Sequence, residues 1–503
     1  MRFTHEQEVI IASKAPVLKV SAFAGTGKTS TLRGYAEANP NERILYVAFN
    51  KAIQVEASHK FPKHVTAKTA HSIAYGQFGH RFGAIDKKLQ GDIKAFHVLP
   101  FLSGSVKTMP AAVVNLYGGR VIDTVKAFLV SGDPDFDVNK HVRLGDSPAE
   151  RQHFDPKNMV ADAHRVWELM QSLESKVPML HDGYLKLFQL SGRTLPYDIV
   201  LLDEAQDTNP VTQAIVDAQP GRKVYVGDKH QAIYGFRGAS NAMAQIKADA
   251  EFHLTGSFRF GDAVAEVANT LLAVKDEDVK LRGLGGPSQL GVIRPRAPHA
   301  YIARGNAALF HRAVHALQNN EPFAFVGELR NYRLDLIEDT HRLVHGDQPQ
   351  DAFLRSFASF DALQEYAEAI GDKEVAGRCR LVANYGDDIP RLVRLITEKA
   401  LPPVLPEAAP VEKDHRVILS SAHRSKGMEF DNVKLANDFM DLLDDEGKLL
   451  DLSRADSTKI EEINLQYVAA TRARKVLEPC DGIQCYLDYV TQLEAQHRAV
   501  VPA

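Results

Sequence analysis

Short apolar runs, each closing on small, polar or charged residues, recur along this chain: residues 17–20 (VLKV), 43–50 (RILYVAFN), 64–69 (HVTAKT), 198–202 (DIVLL), 223–226 (KVYV), 299–306 (HAYIARGN), 322–327 (PFAFVG) and 416–421 (RVILSS). Rich in β-branched residues and lacking strict alternation, they predict strands buried on both faces, as in parallel sheets. Residues 3–11 predict a first helix with an apolar face at Val9, Ile10 and Ile11, and 31–38 predicts a helix just after the first strand. From about residue 76 to 190 the strand signal fades and the periodicity turns helical, with 157–190 fitting amphipathic helices around the only tryptophan, Trp167. Residues 328–410 are again mostly helical by pattern and end in LPPVLPEAAP (401–410), which predicts a connector. Residues 464–477 (NLQYVAATRARKVL) carry helix-like apolar spacing at Leu465, Val468 and Ala469.

What joins the first strand to the first long helix decides the chemistry. Residues 22–30 read AFAGTGKTS, a glycine turn between strand and helix. Gly25 and Gly27 let backbone N–H groups close around anionic oxygens, and the new helix's N-terminal N–H groups and dipole favour negative charge. Ala24, Gly25, Thr26, Gly27, Lys28, Thr29 and Ser30 are therefore the candidate phosphate cradle, with Lys28 reaching the β/γ-phosphates and Thr29 a magnesium ion. The strict pattern opens on glycine where this chain has Ala22.

Strand ends carry the remaining candidates. The run 198–202 delivers Asp203 and Glu204, one carboxylate to hold magnesium and one to orient and deprotonate the attacking water. The run 223–226 ends in GDKHQAIYGFRGA, where Gln231 is placed to sense a γ-phosphate and Tyr234, Phe236 and Arg237 suit stacked bases. Phe49, Asn50, Lys51, Thr69 and His71 close two further strands in a lysine-rich stretch and suit a phosphate backbone. Gln7 has an amide that can pair with adenine; an isolated glutamine of this kind is usually solvated.

Composition adds bounds. The chain's 503 residues allow several cores, and 45% apolar with 25% charged residues is ordinary for a globular protein. Three cysteines argue against a disulfide framework or zinc site. No apolar run has membrane-spanning length and the N-terminus lacks a secretory build, which predicts a cytoplasmic protein with no membrane partner. A net charge of −4 speaks against nonspecific coating of DNA and leaves room for a local basic groove.

The order of these stretches resembles the UvrD/Rep/PcrA branch of superfamily 1 DNA helicases. That resemblance implies an α/β fold of two RecA-like P-loop motor domains, parallel sheets flanked by helices, with helical insertions. It divides the chain into a first motor domain (1–75 and 191–255) with a mostly helical insertion (76–190), and a second (256–327 and 411–490) with a short accessory insertion (328–410), before a tail (491–503). In the second, FHLTGSFRF (252–260) resembles the family's N-Y-R-S motif, so Phe258 would stack on adenine and Arg259 would reach the γ-phosphate. By the same resemblance Gln7 binds adenine, Glu429 contacts the ribose, Arg472 is a second cleft arginine, and Arg304, Asn306, His423 and Lys426 approach DNA.

The implied activity is ATP- and magnesium-dependent movement 3′ to 5′ on single-stranded DNA, acting on tailed or forked duplexes in repair, recombination or replication. Such a motor works as a monomer or a DNA-induced dimer, with a repair, recombination or defence protein as partner. The pairing of AFAGTGKT with TAHSIAYG resembles the compact motor of the F-box DNA helicase branch. Three other readings stay open: a translocase that strips proteins or recombination filaments, a DNA-gated regulatory ATPase in a defence complex, and a P-loop phosphotransferase.

Overall fold

The first apolar run becomes β1 (Val17–Ala22) in a computed structural model that describes residues 2–103, 106, 109–145, 148–235, 242–370, 372–405, 416–444, 446–450 and 457–500. It joins β2 (Ile44–Ala48), β3 (Val65–Thr69), β4 (Ile199–Leu202), β5 (Arg222–Gly227) and β6 (Ala250–Leu254) in a six-stranded sheet of order β3-β2-β4-β5-β1-β6. Every pairing is parallel, and every residue of β2 and β4 is buried, as the unbroken apolar runs require.

Alternate side chains of β2 serve different cores, because successive residues of a strand point to opposite faces. Ile44 and Tyr46 pack with Leu32 and Tyr35 of the helix Lys28–Glu37. Leu45 and Val47 belong to the core that holds Val121, Phe128, Trp167 and Tyr184 from the helices of the 76–190 stretch. That stretch therefore covers one face of the sheet. In the first helix, His5–Ala12, Gln7 and Ile10 turn inward while Val9 is 37% exposed, so the buried face is narrower than the apolar cluster predicted.

The second sheet comprises β7 (Gln289–Leu290), β8 (His299–Ala303), β9 (Phe323–Val326), β10 (Leu401–Val404), β11 (Val417–Ser421), β12 (Phe430–Leu435) and β13 (Ala473–Glu478). Its seven strands, all parallel, run in the order β7-β13-β12-β8-β11-β9-β10. Phe323, Phe325, Val417 and Leu419 form its core with Phe310, Ile337 and Ile396 from flanking helices. A second helical cluster, including Leu343, Leu363 and Cys379, lies within the 328–410 stretch. Both sheets have the RecA-like architecture, with helices packed on parallel strands.

Two expectations need correction. Residues 401–404 are not connector but the edge strand β10, paired with β9 across a register irregularity, with Pro402 and Pro403 exposed. An edge strand needs ladder bonds on one side only, so it tolerates residues without an N–H. Residues 406–410 lie outside the described residues. The 464–477 stretch is helix only in its first half: Ser457–Ala470 is helical, and Ala473–Glu478 is β13.

By contacts the chain divides into two units, Met1–Ala22 with Gly27–Leu254, and Thr255–Ala503 with the turn residues Phe23–Thr26. No helix among the described residues is long and apolar enough to cross a membrane.

Candidate active site

The site begins where β1 ends. Gly25 and Gly27 take φ of +74° and +80°, conformations that residues with a Cβ rarely adopt. At Gly25 a Cβ would also lie 2.5 Å from Ser257 Oγ and 2.8 Å from Arg259 Cβ, so both conformation and space demand glycine. Gly27 caps the helix Lys28–Glu37 with no side-chain hydrogen bond, the arrangement that suits a helix start facing an anion. Thr26 is buried and donates to Phe23 O at 2.9 Å, bracing the turn. Ala24 and Ser30 flank it, Ala24 buried and Ser30 half-buried.

The strand end of β4 delivers the carboxylates. Lys28 Nζ lies 3.0 Å from Glu204 Oε2, and Thr29 Oγ1 lies 3.4 Å from Asp203 Oδ2. Burial by itself would lower the Lys28 pKa, but Glu204, Asp228 and Asp203 together outweigh it and hold the value above the ordinary one. Asp203 is pushed up by burial and by the Glu204 charge, opposed by Lys28 and by the Tyr46 hydroxyl, which donates to Asp203 Oδ2 at 2.6 Å. Burial, and then the Asp203 charge, raise Tyr46 well above its usual value, so it stays a protonated donor.

Glu204 has φ +50° and ψ +42°, a left-handed conformation that costs a non-glycine residue about 1–2 kcal/mol. Gln206 holds it there. Its Nε2 donates to Glu204 Oε2 at 2.6 Å and to Asp207 Oδ2 at 3.2 Å, while its Oε1 accepts the Asp228 N–H at 2.9 Å. Gln231 Nε2 in turn donates to Asp228 Oδ2 at 2.7 Å. A continuous polar chain thus runs from Lys28 through Glu204, Gln206 and Asp228 to Gln231. Tyr46, Gln206 and Asp228 were not among the sequence candidates. The signal for Tyr46 was a tyrosine in a fully buried strand, whose hydroxyl needs a partner.

Gln7 is not solvated. It is 3% exposed, its Oε1 accepts the Thr4 N–H and its Nε2 donates to Thr31 Oγ1, both at 3.0 Å. An adenine seeking this amide has to compete with both bonds.

The candidate nucleic-acid residues of this unit cluster at the ends of β2 and β3. Phe49 is 39% exposed and stacks on Tyr234, with ring centroids 6.0 Å apart and planes 14° from parallel. Asn50 and Thr69 have local duties, capping the helices Lys51–Lys60 and Ala70–Ala74 through Ile53 N–H (2.9 Å) and Ser72 N–H (3.1 Å). Lys51 is exposed and bonds Gln54. His71 Nε2 meets Asp182 Oδ1 at 3.0 Å. A cavity of about 480 Å³ connects Phe49, His71 and Tyr234 with Asp203. Phe236 and Arg237 lie outside the described residues.

In the second unit, Arg259 Nε pairs with Glu429 Oε2 at 2.9 Å, and its Nη1 donates to Thr471 O at 3.0 Å. Phe258 beside it is 47% exposed, the presentation a stacking ring requires. Arg472 is 1% exposed and donates to Val468 O (2.9 Å), Met428 O (3.2 Å) and Thr471 Oγ1 (3.2 Å). Arg304 forms a two-pronged pair with Glu462 at 2.6 and 3.1 Å, so a phosphate would have to compete for its guanidinium. Asn306 opens the helix Asn306–Gln318. His423, in the short helix Ala422–Ser425, and Lys426 after it are half-buried.

Comparison with known proteins agrees with this geometry. A family model described as AAA domain matches residues 6–237, and one described as UvrD-like helicase C-terminal domain matches residues 169–478. F-box DNA helicase protein 1 of Schizosaccharomyces pombe is 34% identical over 517 positions, which cover 94% of this chain and 57% of the relative. F-box DNA helicase 1 of Gallus gallus is 33% identical over 506 positions, 95% of this chain and 49% of the relative. The chain spans about half the length of the curated relatives it matches. With its parallel sheets, its phosphate loop and a family model covering most of its length, the chain belongs to the UvrD-like helicase family.

Proposed function

We propose that this chain is an ATP-driven motor on single-stranded DNA, moving 3′ to 5′ and coupling hydrolysis to strand separation in repair, recombination or replication. One observation carries the reading: within the first unit, Asp203, the carboxylate beside Thr29, and the Phe49–Tyr234 stack line one cavity. A small-molecule phosphotransferase has no use for a half-open pair of stacked rings in the cavity that Asp203 lines. The relatives are named as DNA helicases, which supports DNA as the polymer.

In this reading the turn 24–30 binds the phosphates and Lys28 neutralises charge on the β/γ-oxygens. Glu204, paired with Lys28 and oriented by Gln206, accepts a proton from the attacking water. The hydroxyl of Thr29 and the carboxylate of Asp203 are hard oxygen donors 3.4 Å apart and suit Mg²⁺, which supplies charge neutralisation on the phosphates. Gln231, at the far end of the polar chain, is three residues from Tyr234, so a change at the phosphate is transmitted to the stacking loop over a short covalent path.

The test is steady-state ATPase activity with and without single-stranded DNA at two salt concentrations. Strong stimulation that weakens with salt is the expected result, and hydrolysis indifferent to DNA overturns the motor reading. Strand displacement on 3′- and 5′-tailed duplexes then reads polarity. The compact 328–410 stretch favours one second reading, translocation that clears proteins or recombination filaments from DNA with little duplex unwinding.

The stack makes its own prediction. Tyr234→Ala is expected to weaken single-strand affinity by about 1–3 kcal/mol, the usual contribution of one stacked base. Fluorescence anisotropy with a labelled oligonucleotide measures it; unchanged affinity would show that Tyr234 does not stack on DNA.

A further inference from the structure

In the 328–410 stretch of the second unit, three ligand-type side chains converge. His341 and His345 stand four residues apart at the end of the helix Leu334–Val344, which sets both rings on one face. Asp387 comes from the turn Gly386–Asp388 that follows the helix Lys373–Tyr385, with Gly386 at φ +47°. His345 Nε2 lies 2.9 Å from Asp387 Oδ1, His341 Nε2 lies 3.4 Å from the same oxygen, and the two Nε2 atoms are 3.1 Å apart.

Each imidazole offers one in-plane ring-nitrogen lone pair and the carboxylate offers an oxygen, and these three atoms face one another. A metal ion satisfies all three groups at once. With metal–ligand distances of about 2.0–2.1 Å, neighbouring donor atoms stand about 2.8–3.0 Å apart in an octahedron and about 3.3–3.4 Å apart in a tetrahedron. The three observed edges span that interval.

We propose that His341, His345 and Asp387 form a binding site for a divalent transition-metal ion of the zinc class, which ties the end of one helix to the turn after another. Two imidazoles and one carboxylate are the donor set that borderline ions prefer and that Mg²⁺ does not. The neighbouring cations do not repel the ion, because Arg342 is paired with Asp339 and Arg391 with Asp388, each at 3.1 Å. Asp387 is 87% exposed and His345 44%, which leaves the remaining coordination positions to water.

The test is a Co²⁺ titration of the metal-stripped full chain without nucleotide, read by visible d–d absorption. The wild type is expected to bind about one equivalent that His345→Ala and Asp387→Asn each lose and excess Mg²⁺ does not displace. A control, His315→Ala, changes a histidine of the helix Asn306–Gln318 and is expected to keep it. Zn²⁺ should raise the melting temperature of the wild type and the control but not of the two ligand variants. Both altered side chains are exposed, so their circular dichroism should match the wild type. Absence of the absorption in the wild type, or equal absorption in the ligand variants, overturns the proposal.

Discussion

Lys28→Ala is expected to reduce ATP hydrolysis by at least about a hundredfold to a thousandfold, the range seen when one preorganised electrostatic group is removed from a reacting centre. Lys28 is the cation against which both carboxylates are set. Its Nζ is 3.0 Å from Glu204, and its charge opposes the rise of the Asp203 pKa. Without it Asp203 is driven further toward its protonated form, a poorer metal ligand, and Glu204 loses its ion-pair partner. Two failures thus follow from one substitution. Steady-state phosphate release with saturating single-stranded DNA measures the loss, and a thermal melt checks that the fold survives. Retained full turnover in a folded variant would mean that hydrolysis occurs elsewhere.

Arg259→Ala is expected to lower kcat by about a thousandfold while changing nucleotide affinity only a few-fold, since an arginine that stabilises a transferring phosphoryl group acts in the transition state. The split between turnover and binding is what distinguishes this role from a structural one. Arg259 is held by Glu429, whose side chain is 46% exposed, so its removal leaves no buried charge behind. Glu429→Gln provides the second arm: it weakens that pair while sparing the guanidinium, and its effect on kcat should be far smaller. A fluorescent nucleotide titration alongside the ATPase assay reads both quantities. Equal turnover in Arg259→Ala and wild type would remove Arg259 from the catalytic set.

The parts legible in the sequence were those whose cause is local. Strands such as β2 and β4 announce themselves because burial on both faces forces an unbroken apolar run. The turn at Gly25 and Gly27 is legible because phosphate binding needs glycine conformations followed at once by a helix start. What stayed hidden depends on distant partners. The Tyr46 hydroxyl finds a carboxylate 157 positions away, and Arg304 is drawn to Glu462 across 158. Gln206 was in view inside the acidic box, but its bond to the Asp228 backbone exists only after β4 and β5 pair. β10 was misread because two prolines weigh against a strand everywhere except at a sheet's margin.

Those prolines have a consequence for the molecule in company. A parallel sheet that ends in an ordinary strand offers a row of unpaired N–H and C=O groups on which a strand of another chain can be laid down, the first step toward aggregation. Adjacent residues of a strand direct their N–H groups to opposite sides, so of Pro402 and Pro403 one takes a donor from that margin, and both hold φ near −65°, away from flat extension. The β10 side of the second sheet is thereby a poor template for strand addition, a brake on edge-to-edge growth.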